Sequence, residues 1–209
     1  MHNTHYTPFF VKCNLLTKIN LEKIHENSYN KPEVRKMHFF LLTNAQKSQY
    51  KPVLLEILTQ NDTAFVPPLS QRSGTTQTDF GTRHNPNGVA DYLEQMLTQQ
   101  IVGVFLENKL VGFVSYIENR ETDGFSLPNI YLSTLVLQPE TRGMGITRKL
   151  YHHLFNELYP ERNVYTRTWS TNIAHIKILM GFGFEEYKRI PNDRGQGIDT
   201  VYYAKRHTL

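Results

Sequence analysis

Cysteine is almost absent from this chain: its 209 residues include one, Cys13. No disulfide can form within the chain, so a reducing, cytoplasmic compartment is the expected setting, and a lone thiol is weak evidence for a nucleophile. Long apolar runs are missing too. No stretch approaches the roughly 18 apolar residues of a membrane helix, and the start MHNTHYTPFFVKCNLL has neither a signal-peptide core nor a cleavage site. No membrane partner is expected. Charge of one sign never accumulates: 23 basic against 19 acidic residues leave +4, without five like charges in a row. That mild excess is not a nucleic-acid signature, so nucleic acid is not an expected partner.

What remains is the composition of a folded protein, with 39% hydrophobic against 20% charged residues. The length allows one large domain, or one domain with an appendage. Residues 1–36 read as an extension of uncertain role, with LLTKINLEKIHENSY suggesting a helix closed at Pro32. Residues 37–209 read as the domain. Within it, residues 37–42 suggest a strand, and Pro52 is placed to open a helix through Leu54, Leu55, Ile57 and Leu58. Residues 70–88 are polar and turn-forming, a long loop whose root at Phe65 and Pro67-Pro68 could line a pocket.

A helix is expected at 89–100, followed by a hairpin, because IVGVFLE and LVGFVSYI flank a tight connection. IYLSTLVL is apolar enough for a strand buried on both faces. Ile146, Leu150, Leu154 and Leu158 make a helical stripe ended by Pro160, and NVYTRTW follows as a strand. Ser170 or Thr171 would cap a short helix ended by Gly181 or Gly183, before strands near 184–190 and 200–205. Strands and helices so arranged give a mixed sheet with helices on both faces.

The passage from strand to helix at residues 142–147, Arg-Gly-Met-Gly-Ile-Thr, has the makings of an anion site. Glycines permit close approach, a helix start offers unpaired N–H groups, and Arg142 adds a guanidinium fork. The dinucleotide-binding and P-loop patterns are both absent. LQPETRGMGITRKLYHHLF resembles instead the acyl-CoA loop of the GNAT acetyltransferases, with Arg142, Gly145 and Thr147 at its marked positions; Thr147 replaces the usual Gly or Ala. Downstream, STNIAHIKILMGFGF is similar to that family's Asn-initiated helix ending in Gly-Phe, through Asn172, Gly183 and Phe184.

The resemblance covers roughly residues 37–205. It implies an α/β (α+β) acyltransferase fold with a mixed, mostly antiparallel central sheet. It further implies acetyl-CoA as co-substrate, with the pyrophosphate on Gly143, Met144, Gly145, Ile146 and Thr147 beside Arg142. Leu135, Val136 and Leu137 would pair with the pantetheine arm, and Asn172 would touch it. The implied reaction is acyl transfer to a primary amine of a small molecule, peptide or protein by direct attack.

The acid and base are harder to place. Where many members carry a tyrosine seven residues after the Asn, this chain has Leu179. The strand that holds a glutamate in some members offers Tyr131, Ser133 and Thr134, leaving Glu118 or a water relay as base. His175 titrates nearest neutrality, though it could equally be a packed histidine. The candidate catalytic residues are therefore His175, Glu118 and Tyr131. The missing tyrosine also keeps open a non-catalytic acyl-CoA-binding module. No metal is expected, since His152 and His153 diverge on a helix and no metal-ligand spacing occurs. The loop NDRGQGID, residues 192–199, mixes two aspartates with an arginine and could recognise a cationic acceptor. The extension and the two-histidine helix leave room for a homodimer.

Overall fold

The computed structural model describes residues 36–78, 80, 87–121 and 127–207. The helix expected within residues 1–36 and the tips of two long loops lie outside them. Seven strands run in the order β1-β2-β3-β4-β5-β7-β6: β1 (Met37–Leu41), β2 (Gln100–Leu106), β3 (Lys109–Glu118), β4 (Asn129–Leu137), β5 (Asn163–Trp169), β6 (Glu185–Ile190) and β7 (Thr200–Lys205). All pairings are antiparallel except β4 with β5. Four helices cover the sheet: α1 (Asn44–Gln60), α2 (Gly88–Leu97), α3 (Ile146–His152) and α4 (Ile173–Gly181).

The two faces carry separate cores. Leu54, Ile57, Leu58, Tyr92, Leu93 and Met96 of α1 and α2 pack on Ile101 and Phe113. Ile146, Leu150, Leu154 and Leu179, from α3, its extension and α4, pack on Val102, Val114, Leu132 and Val201. Ile101, Val102, Val104, Phe113 and Val114 are fully buried, so β2 and β3 are covered on both sides. Each such side chain is worth about 1.5–3 kcal/mol of transfer free energy, which makes this hairpin the anchor of the domain.

Local chemistry moves some boundaries. Pro52 does not open α1 but lies inside it. Thr43 starts the helix instead: its hydroxyl accepts from the Gln46 amide, while the Gln46 side chain accepts from the Thr43 amide. Neither Ser170 nor Thr171 begins α4; Asn172 stands at its N-cap. Beyond His152 the α3 helix widens into a π-helical turn, residues 153–158, closed where the Tyr159 amide bonds the Leu154 carbonyl.

One irregularity in β4 governs the site. Ser115 pairs with Thr134 and Tyr116 with Leu132, so Ser133 opposes no residue and forms a bulge. A bulge inverts the alternation of faces. Ile130 and Leu132 therefore share the α3/α4 side with Leu135 and Leu137, while Val136 packs with α1 and α2. Gly112 lets this end of β4 come close: a Cβ there would stand 2.7 Å from the Val136 carbonyl oxygen and 2.4 Å from Leu137.

Candidate active site

Strands β4 and β5 pair only from Asn129 with Asn163 to Leu132 with Thr166. Past that point their bonds cease, although β4 runs on to Leu137 and β5 to Trp169. The gap is a cavity of about 380 Å³. Residues 132–137 form one wall and residues 166–169 the other. Tyr151, His175 and Ile178 close it from the α3/α4 side, and Asn61, Phe65 and Arg72 from the α1/α2 side. The opening is lined from both faces of the sheet.

The proposed phosphate loop stands at the end of β4. Gly143 and Gly145 hold φ of 78° and 72°, the left-handed region that glycine adopts without cost, and α3 begins directly after Gly145. Met144 is exposed, whereas Ile146 is buried and pins the helix start to the core. Thr147 and Arg142 line the cavity. The Arg142 guanidinium donates to Asn61 Oδ1, and Asn61 Nδ2 in turn donates to the carbonyls of Ile57 (2.8 Å) and Leu137 (3.1 Å). The buried end of α1 thus fixes both the arginine and the last residue of β4.

Leu135, Val136, Leu137 and Asn172 all line the cavity. The Asn172 side chain makes no cap bond; its Nδ2 donates to Thr168 Oγ1 at 3.0 Å, tying the start of α4 to the end of β5. Of the residues the resemblance assigns to acetyl-CoA, Leu135, Val136, Leu137, Arg142, Thr147 and Asn172 line one opening, whereas Gly143, Met144, Gly145 and Ile146 form the turn between Arg142 and Thr147 and are not in its lining. They suit the ligand: a turn of left-handed glycines for phosphates, and an unpaired strand edge for an amide-bearing arm.

The three catalytic candidates part company. His175 lines the cavity, its Nε2 2.7 Å from the Tyr151 hydroxyl. Desolvation of the ring pushes its pKa down to about 4, so it is neutral at physiological pH. Burial drives the Tyr151 phenol upward, so it too is neutral. Glu118 lies outside the lining and accepts from the Tyr159 hydroxyl at 2.7 Å. Tyr131 is also outside it, buried against Tyr165 with Arg120 over its ring. Leu179 is fully buried in the core and does not line the cavity.

Sequence reading overlooked Tyr151, Arg72 and Arg167, and noted Arg194 only as one charge of the loop NDRGQGID. Tyr151 falls beside the stripe of Ile146, Leu150, Leu154 and Leu158 and carries no functional signal of its own. Arg72, Arg167 and Arg194 line the α1/α2 side of the cavity from three distant segments. A signal for one of them existed, since Arg167 is a charge in the middle of a strand buried on both sides. The loop NDRGQGID offers the cavity a cation rather than carboxylates. Asp193 is engaged with the Thr200 hydroxyl and Asp199 with Arg189, while Arg194 lines the opening. Among the described residues no group of three or more His, Cys, Asp or Glu side chains could hold a metal ion, and no helix is long and apolar enough to cross a membrane.

Solved structures share this architecture. The Brucella melitensis ribosomal-protein-alanine N-acetyltransferase is 23% identical, with 81% of this chain and 99% of that one covered at a TM-score of 0.54. An Acinetobacter baylyi ADP1 protein assigned as an acetyltransferase is 20% identical, covering 82% and 93% at 0.56. A Salmonella typhimurium protein with the same assignment, solved with its cofactor acetyl-CoA, is 19% identical, covering 83% and 95% at 0.56. No curated protein sequence is significantly similar. At these identities the likeness carries the fold alone. The sequence itself matches the acetyltransferase (GNAT) family over residues 72–184, more than half its length. With the split strands and the glycine turn in place, the chain belongs to the GNAT family of acetyltransferases, enzymes of the acyl-CoA-dependent N-acyltransferase class.

Proposed function

We propose that the protein moves an acetyl group from acetyl-CoA to a primary amine that enters the cavity from the α1/α2 side. The observation that carries this reading is the β4/β5 gap, which opens beside the residue 142–147 turn and is lined from both faces of the sheet. The Salmonella neighbour solved with acetyl-CoA supports the choice of donor. Residues 143–147 with Arg142 would hold the pyrophosphate, the free edge of residues 135–137 the pantetheine arm, and Asn172 the same arm. Acetyl-CoA supplies an activated thioester carbonyl.

The amine nitrogen forms the C–N bond as the C–S bond breaks and its electron pair goes to sulfur. One proton must leave the nitrogen, and one must reach the sulfur. Among the described residues no carboxylate lines the cavity. The nitrogen's proton therefore leaves through water in the opening, because a histidine with a pKa near 4 is a weak base. Tyr151 takes the role that Leu179 cannot fill: its hydroxyl, oriented by neutral His175, passes a proton to the sulfur and regains one from the water that took the proton of the nitrogen.

Wild-type protein should release thiol from acetyl-CoA only when a primary amine is present, with the amide identified by mass. Tyr151→Phe should keep acetyl-CoA affinity while kcat falls by about 100-fold. Tight acetyl-CoA binding without amine-dependent release from any acceptor would instead favour a binding module.

A further inference from the structure

We infer that Asn61 is a positioning residue for the donor, whose side-chain amide holds the Arg142 guanidinium in place to receive the pyrophosphate of acetyl-CoA. The inference rests on the acyl-transfer reading and adds to it a residue that acts through Arg142 rather than on the reacting atoms. Asn61 is the C-cap of α1 and only 2% exposed. Its backbone is pinned on both sides: the amide donates to the Leu58 carbonyl at 3.1 Å, and the carbonyl accepts from the Ala64 amide at 2.9 Å.

The side chain then bonds to three separate segments. Nδ2 donates to the carbonyls of Ile57 (2.8 Å) and Leu137 (3.1 Å), and Oδ1 accepts from the Arg142 guanidinium. Both protons of the amide group and its oxygen are thus engaged. A turned-over amide would set Oδ1 against two carbonyl oxygens and Nδ2 against a guanidinium, both repulsive, so a single orientation satisfies the network. The two carbonyls therefore aim Oδ1, and Oδ1 aims the arginine.

Arg142 itself is exposed, while its partner is buried. An exposed arginine samples many rotamers and gives up that freedom when it captures an anion. Anchoring one nitrogen of the fork to a rigid, buried oxygen removes part of that cost before the ligand arrives. The chemistry of the anchor matters equally. A carboxylate at this position would grip the guanidinium more tightly but cancel its charge, whereas a neutral amide oxygen orients the charge and leaves it for phosphate. Only an amide also brings the two protons that the Ile57 and Leu137 carbonyls accept; a hydroxyl has one and a carboxylate none. Leu137 is the last residue of β4, and it lines the cavity together with Asn61 and Arg142. The arginine is thereby held in register with the end of the strand beside which the thioester arm would lie.

A double-mutant cycle on the full-length protein tests this, with acetyl-CoA affinity read by isothermal titration below the melting temperature of every variant. Arg142→Met should weaken binding about 30-fold, and Asn61→Ala about tenfold. Because Asn61 acts through Arg142, adding Asn61→Ala to Arg142→Met should cost less than about a further threefold. A merely structural asparagine would instead give losses that multiply, to about 300-fold in the double variant, and a further loss above about threefold overturns the inference. Asn61→Asp, of the same size, keeps a partner for the guanidinium but cancels its charge, and should lose at least as much affinity as Asn61→Ala. Wild-type affinity in either Asn61 variant would likewise overturn the inference and leave the acyl-transfer reading standing. Wild-type affinity in Arg142→Met, or wild-type protein unable to bind acetyl-CoA, would overturn the reading of the 142–147 turn and the inference with it.

Discussion

Gly145→Glu is expected to weaken acetyl-CoA binding by about 100-fold or more, and Gly145→Ala by only about tenfold. Gly145 has φ of 72° and immediately precedes α3. Any L-residue there meets the left-handed penalty of about 1–2 kcal/mol, which accounts for the alanine effect. A Cβ at this position meets nothing within 4 Å, so neither variant clashes with a neighbour. The difference between the two therefore reads charge. A glutamate at the helix start would place its carboxylate among the amides offered to the pyrophosphate and repel it. Isothermal titration of acetyl-CoA into the three proteins measures this directly. Equal affinity of the alanine and glutamate variants would show that the turn is not where the phosphates bind.

Acidification should cost stability through His175. Its pKa is about 4 in the folded chain and near 6.5 when unfolded. Between these values the unfolded chain binds a proton that the native chain refuses, so stability falls as pH drops through this window. The histidine's contribution is whole above about pH 6.5 and lost below about pH 4. The gap corresponds to about 3 kcal/mol, trimmed toward about 2 kcal/mol because part of the residue meets water. His175→Gln keeps an acceptor for the Tyr151 hydroxyl but does not titrate. Urea unfolding at pH 7.5 and 4.5 should show wild type losing about 2–3 kcal/mol more than the variant. Equal losses would mean that the imidazole is solvated in the native state and that its pairing with Tyr151 is loose.

The same physics explains what could be read from the sequence. β2, β3 and β4 were legible because burial on both faces leaves short, dense apolar runs between turn residues, and NVYTRTW, rich in β-branched and aromatic residues, maps directly onto β5. The glycine turn and Asn172 were legible because backbone conformation and a helix start restrict residue type locally. Pro52 misled because helix initiation was decided nine residues earlier, by the Thr43–Gln46 capping box. The bulge at Ser133 left no mark in IYLSTLVL, since apolar residues occupy both faces and hide the change of parity.

The site's polar half was least legible. Arg72, Arg167 and Arg194 meet only because an irregular loop, β5 and the β6–β7 connection converge; Arg72 and Arg194 each alone read as a surface charge, and only Arg167, set within a strand, carried a signal. Glu118 and Tyr131 drew notice by their strands, yet register and the neighbouring Tyr159 and Arg120 hold them outside the opening. Tyr151 was concealed by helical periodicity, which places it on the core side and says nothing of the hydroxyl at its end.

The central claim is that the gap between β4 and β5 receives the thioester arm while the residue 142–147 turn receives the phosphates. Amide hydrogen exchange of the wild-type protein with and without acetyl-CoA tests it most directly. The account predicts slowed exchange in residues 133–137 and 143–149, with β1 and β2 unchanged. Binding of acetyl-CoA that leaves both segments exchanging as in the free protein would contradict it.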